Sequence, residues 1–342
     1  MKRDRFRSPR IQHLEGRCVM ASFGTPWLEP RSLTVSFPSD QAQVGAYDNA
    51  LRATLDQVAD RREWQEAVLR AYQTWAVETN LNIGLTTDRG DHFGTIGLSQ
   101  GDPRFGDFRI GAFPQDGVLA NALPYQTSAG TWAGDVLLNS QVNFFLGDWK
   151  SSDPIDIPAA NEKGSPVELY SLLLHEVGNS LGIADVNRPG TVMHQTYEGP
   201  KGKLSEHDIR AITGLYGGIR TDIYEPQRND RRRDATRISY PSGFDGQTPM
   251  TVRGSLNSVA DVDHYSFVPL AGQQKVTVRL NASGISLLKG HLYVTDAAGK
   301  TLADAKADSI FENDLRVEVG SLSDYQRLFV RVEGNGDDVF TV

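Results

Sequence analysis

His175, Glu176, Asn179 and Asp185 are the side chains whose types and spacing could do chemistry together. They lie in Leu172-Leu-Leu-His175-Glu176-Val-Gly-Asn179-Ser-Leu-Gly182-Ile-Ala-Asp185. Leu172, Leu173, Val177 and Leu181 recur at the spacing of a buried helix. On a helix, positions 175 and 179 are four apart and share a face. A helical His-Glu-x-x-His holds one metal ion with two imidazoles and sets a carboxylate beside the metal-bound water. Here the first histidine and the glutamate are present, and Asn179 stands where the second imidazole would be. An amide oxygen is neutral and a poor zinc ligand beside imidazole. Gly182 lets the chain leave the helix and turn, so that Asp185 can return to the same point.

The stretch, followed by Thr191-Val-Met193, resembles the zinc helix and Met-turn of the metzincin metallopeptidases, His-Glu-x-x-His-x-x-Gly-x-x-His/Asp. It is most similar to the matrixin branch in its bacterial form. The resemblance implies a catalytic zinc held by His175, Asn179 and Asp185, with Met193 as the floor beneath it. It also implies that Glu176 is the general base that takes a proton from the water and passes it to the leaving amine. Loss of an imidazole at 179 predicts zinc binding weakened by orders of magnitude, or absent. His194 is the one nearby histidine, and a strand-like alternation after Met193 aims it away.

The elements that must position this stretch are legible on either side of it. Leu33–Phe37 alternates like an edge or first strand. Trp64, Val68, Ala71, Tyr72 and Trp75 recur at helical spacing within 63–79, which predicts a helix lying on a sheet. Leu81–Leu85 reads as the next strand. Gly106–Gly111, Leu119–Pro124 and Gly134–Asn139 resemble, in order, a strand, the "Leu-Ala-His-Ala-x-Pro" turn and the cleft-lining edge strand of the matrixins. Gly134, Asp135, Val136 and Leu137 are therefore the expected substrate-binding residues, since an open edge can take up an extended peptide as an added strand. Asn121 and Leu137 stand where animal matrixins place structural-zinc histidines, so no structural zinc is expected. Residues 147–166 read as a surface loop. Ser165, Pro166 and Glu168 predict a helix start with Ser165 as the cap. Ser205 and Asp208 predict a second one, ahead of a last helix ending at Leu215-Tyr216-Gly217.

Beyond residue 218 the pattern changes to alternation. Asp222–Pro226, Asn229-Asp230 and Asp261-Val-Asp263-His264-Tyr265-Ser-Phe267 resemble the bacterial pre-peptidase C-terminal domain. Strands through Val276–Leu280, Leu292–Val294, Leu315–Val319 and Leu328–Val332, with an Asp296–Gly299 turn, predict a β-sandwich. Glu225, Asn229 and Asp230 could form a calcium site, or simply a solvated acidic turn. Arg231-Arg232-Arg233 reads as a solvated linker face.

The expected fold is thus α+β, a metzincin-like mixed twisted sheet with helices, followed by an all-β sandwich. The expected boundaries are a leader over 1–31, a peptidase-like domain over 32–218, a linker over 219–236 and the sandwich over 237–342. Arg10–Ala21 resembles the "Leu-Glu-x-Arg" segment of exported bacterial proteins, or is a plain basic tail; Cys18 is unremarkable and, being alone, excludes an internal disulfide.

At 342 residues the chain can hold two cores. A net charge of −8 argues against nucleic acid as the partner. No apolar run is long enough to span a bilayer. Two functions follow from the resemblance: an exported, monomeric zinc metalloendopeptidase acting on protein or peptide, or an inactive peptidase fold that binds peptides or other molecules at the cell surface. A third, purely structural extracellular role remains open.

Overall fold

The computed structural model describes residues 24–148, 165–219, 229–246, 248–336 and 338–341. The N-terminal part is built on a five-stranded mixed sheet. Its first strand, β1 (Leu33–Ser36), is followed by a small hairpin of β2 (Gln43–Val44) and β3 (Tyr47–Asp48). A short helix α1 (Leu51–Leu55) leads into α2 (Arg61–Ala76). Then come β4 (Ile83–Leu85), β5 (Phe108–Phe113), β6 (Ala120–Ala122) and β7 (Val136–Asn139). The sheet order is β4-β1-β5-β7-β6. All pairings are parallel except β6 with β7.

The helical spacing identified in the sequence is the buried face of α2. Trp64, Val68, Ala71, Tyr72 and Trp75 are fully buried on the sheet. A minor pair, β8 (Phe144–Phe145) with β9 (Val167–Glu168), leads into α3 (Leu169–Ser180), and α4 (Glu206–Tyr216) closes this part. Ser205 and Asp208 form a complete capping box at α4, as their spacing predicts. The start of α3 differs from expectation. Glu168 is its N-cap and accepts the Tyr170 and Ser171 amides, while Val167–Glu168 pair as a strand. Strand pairing with β8 holds the residues after Ser165 extended, so the helix cannot begin there.

The cleft-edge assignment must also be corrected. β1 lies between β4 and β5, and β7 lies between β5 and β6. Val136, Leu137 and Leu138 are buried, and Asp135 is wholly so. Gly134, Asp135, Val136 and Leu137 therefore line no open edge. The open edge beside α3 is β6, whose Asn121 is exposed.

The all-β part contains β10 (Thr236–Arg237), β11 (Val262–Phe267), β12 (Lys275–Leu280), β13 (Gly290–Thr295), β14 (Thr301–Lys306), β15 (Leu315–Gly320) and β16 (Leu328–Gly334). Five strands pair in the order β10-β11-β16-β13-β14, and β12 pairs with β15. Tyr265, Phe267, Leu292, Val294, Val317, Val319 and Val330 form the core between them. Asp296 folds the predicted turn, its Oδ1 accepting the Ala298 and Lys300 amides.

Two boundaries shift. Residues 24–31, expected within the leader, belong to the fold: Trp27 is 2% exposed and its indole donates to the Ser180 carbonyl at 3.3 Å. Residues 229–236, expected as linker, join the β part through buried Asn229 and through β10. The loop over 147–166 lies largely outside the described residues, as do Cys18 and the basic leader motif.

Candidate active-site cleft

Helix α3 is buried nearly all round. His175 and Asn179 are the two of its twelve residues that are not buried, and they sit one turn apart on the same face. A sequence this apolar forms a helix because its other faces fill the core. The polar pair is what that packing leaves open to the cleft. Gly178 lies on the adjoining flank, one turn after His175, where a Cβ would come within 2.8 Å of the Trp75 ring and would collide with the Met193 sulfur. Glycine at 178 thus allows Met193, 1% exposed, to pack directly beneath the helix.

The chain then turns back as the glycine spacing predicts. Gly182 adopts φ +96°, a conformation that an L side chain rarely takes, and Ile183 donates its amide to the Gly178 carbonyl. Val186 and His194 form an isolated parallel bridge that ties the returning segment to the Met193 turn. Asp185 is brought to His175, Oδ1 to Nε2 at 3.2 Å, and also takes a hydrogen bond from Asn179. The three side chains expected to converge do so.

The ring of His175 is oriented from behind. Its Nδ1 meets the Val192 carbonyl at 2.9 Å, so Nδ1 carries the proton there and Nε2 faces the cleft. Val192 and Met193 are in turn fixed by Asp208, which accepts their amides at 3.0 and 3.3 Å. Asp208 was legible in the sequence only as a helix cap; its second task depends on a contact across 15 residues of chain.

Burial sets the electrostatics. The Glu176 carboxyl is pushed up to about 7, chiefly by burial, with His175 working against the shift and Asp185 adding to it. Burial opposes the charge on His175, but Asp185, Glu176 and the Val192 carbonyl outweigh it and raise its pKa. Asp185 is lowered by the hydrogen bond with His175, against burial. His194 turns to the Thr196 carbonyl and to Glu198.

The remaining site expectations separate. Asp135 lies inside the sheet, and burial raises its carboxyl well above the ordinary range despite the pull of Arg109. Asn229 is buried, with its amide nitrogen donating to Asp263 at 2.8 Å, whereas Asp230 is exposed. Glu225 lies outside the described residues.

The chemistry of the donor set suits zinc poorly. It offers one imidazole nitrogen, one carboxylate and one neutral amide, where a catalytic zinc takes three strong protein ligands. The imidazole and the carboxylate are paired with each other. Among the described residues, no group of three or more His, Cys, Asp or Glu is placed to hold a metal ion. The set does not fit a three-ligand catalytic zinc.

Comparison with known proteins places this cleft in a family. Residues 50–217 match the matrixin family model. The chain is 28% identical over 193 residues to the macrophage metalloelastase of Oryctolagus cuniculus, covering 55% of this chain and 36% of that protein. It is 28% identical over 195 residues to Metalloendoproteinase 2-MMP of Arabidopsis thaliana, covering 55% and 47%. It is 28% identical over 101 residues to karilysin of Tannerella forsythia, covering 30% and 18%. The chain thus aligns with less than half the length of each of these relatives. Among the described residues, no helix is long and apolar enough to cross a membrane. From α1 to the end of α4, residues 50–217 are a matrixin domain.

Proposed function

We propose that this chain uses its matrixin domain to bind an extended stretch of polypeptide, and that position 179 has removed the hydrolytic metal centre. The observation that carries the reading is the donor set: a fully converged site in which an amide has replaced an imidazole and the two strong donors pair with each other. The peptide adds to the open side of β6, antiparallel or parallel, through backbone hydrogen bonds. The His175–Asp185 pair and the Asn179 amide line the floor below it and offer donors and acceptors to its carbonyl and amide groups. Two of the relatives are named as a metalloelastase and a metalloendoproteinase, which supports a protein or peptide as the ligand. The resemblance of the leader and of the C-terminal strands to exported bacterial proteins supports an extracellular protein.

A second reading, a zinc metalloendopeptidase of low metal affinity with Glu176 as general base, is favoured by two retained features. Glu176 is still buried beside the cleft, and the His175 ring is still anchored through Nδ1. The test is zinc content, peptide binding and peptide hydrolysis of the native chain beside Asn179→His and Glu176→Ala. The binding reading expects peptide bound without turnover, no stoichiometric zinc in the native chain, and zinc gained in Asn179→His. Chelator-sensitive hydrolysis by the native chain that disappears in Glu176→Ala would overturn it in favour of the second.

A further inference from the structure

The matrixin domain is locked to the C-terminal β part, through its connecting segments, in three places. At the sheet, β4 pairs with β1 on one side. Across its neighbourhood runs the segment following β12: Asn82 donates its side-chain amide to the Ile285 carbonyl at 2.8 Å. A Cβ on Gly84 would meet the Gly284 carbonyl carbon at 2.7 Å and the Ile285 amide at 2.8 Å, so the two backbones touch where glycine alone permits it. In the core, Leu287, Ile310 and Phe340 are 1%, 4% and 0% exposed and belong to the same apolar cluster as α2, α3 and the sheet. At the surface of α2, Arg70 pairs with Asp338, which also faces Lys289 at 3.7 Å.

These contacts lead to the cleft. Arg70 hydrogen-bonds Tyr170 on α3, whose hydroxyl also meets Thr74 at 3.0 Å. Trp75 donates its indole to the Leu174 carbonyl, the residue before His175, at 2.9 Å. Helix α2 is therefore held between the connecting segments of the C-terminal part and the helix that carries the site.

We infer that the C-terminal β unit is a fixed buttress of the matrixin domain: it packs on the face of β4 at Gly84 and sets α2, and through α2 the site helix α3. An interface with three fully or nearly buried apolar anchors and a backbone-to-backbone contact is built for permanent packing, unlike the loose, polar surfaces of domains that move.

The test is hydrogen exchange of the full chain, followed by mass spectrometry, with Gly84→Ala, Phe340→Ala and Asp338→Asn. Gly84→Ala is the sharpest variant, because alanine suits a strand interior better than glycine. If the two parts are independent, it leaves exchange unchanged or slows it. The buttress predicts at least tenfold faster exchange in residues 282–287 and 61–76. Phe340→Ala is expected to accelerate 61–76 and 169–180 similarly, although the substituted residue belongs to neither helix. Should Phe340→Ala fail to fold, Gly84→Ala and Asp338→Asn carry the measurement. Acceleration confined to residues 282–341, or two separate calorimetric transitions in the native chain, overturns the inference.

Discussion

The Asp208 carboxylate accepts the Val192 amide at 3.0 Å while it also completes the cap of α4. Val192 in turn presents its carbonyl to His175 Nδ1. One buried carboxylate thus joins the last helix, the Met193 turn and the orientation of the site histidine. Asp208→Ala leaves the Val192, Met193 and Ser205 amides without their acceptor. The expected loss is about 3 kcal/mol, from an N-terminal cap together with buried charge-assisted hydrogen bonds. Denaturant unfolding measures it, and an unchanged midpoint would show that the tie carries no weight.

Glu176 gives the protein a pH dependence with a definite sign. Its carboxyl moves from an ordinary 4.5 to about 7 in the folded state. The folded chain then keeps a proton that the unfolded chain has released, so stability falls as pH rises from 4.5 to about 7. That shift is worth about 3 kcal/mol at most. His175, also raised, acts in the same direction: its contribution is present below the ordinary histidine range and is lost as pH rises past the folded value. Glu176→Gln should melt higher than the parent at pH 8 and alike at pH 4.5. Parallel melting curves across that range would refute the assignment.

The antiparallel β6–β7 pair predicts which backbone groups are free. Asn139 donates to the Leu119 carbonyl and Leu123 to that of Asp135, so by alternation Asn121 bonds inward to Leu137. Ala120 and Ala122 therefore turn their backbone groups outward. Ala122→Pro removes an outward donor, and should weaken peptide binding at least tenfold while moving the melting temperature by only a few degrees. Asn121→Pro should instead disrupt the pairing and destabilise the sheet. Titration with an extended peptide, read by anisotropy, distinguishes the two.

Arg109 and Asp88 form a buried pair with bonds of 2.9 and 3.0 Å, both side chains 1% exposed. The guanidinium is sandwiched between the rings of Phe93 and Phe105, 4.4 and 4.3 Å away. Arg109→Met would strand a carboxylate in the interior, at a cost of about 3–5 kcal/mol. Arg109→Met combined with Asp88→Asn should recover part of that loss. A double variant no more stable than the single one would mean that the damage comes from lost packing rather than lost charge.

Much of the site could be read from the chain alone, and the reason is local. The four-residue step from His175 to Asn179, the turn at Gly182 and the return to Asp185 are set by helix geometry and by glycine's freedom at positive φ. The core faces of α2 and of the C-terminal strands were equally legible, because burial on one face imposes a period on the sequence. The identity of the sheet edge was not. β7 looks like an edge strand until β6, fourteen residues before it, folds back antiparallel and covers it. The cap of α3 passed from Ser165 to Glu168 because β8 pairs with the residues between.

The residues and their spacing by themselves determined which groups could meet at one point and which ligand is missing there. Only the tertiary structure decided that Asp208 anchors the turn, that Trp27 belongs to the fold and that Phe340 packs into the core behind α2. Helical and strand periods are written within a few residues, whereas those contacts join segments up to hundreds of residues apart. They arise from the shapes left when the local elements pack, which no short stretch of sequence encodes.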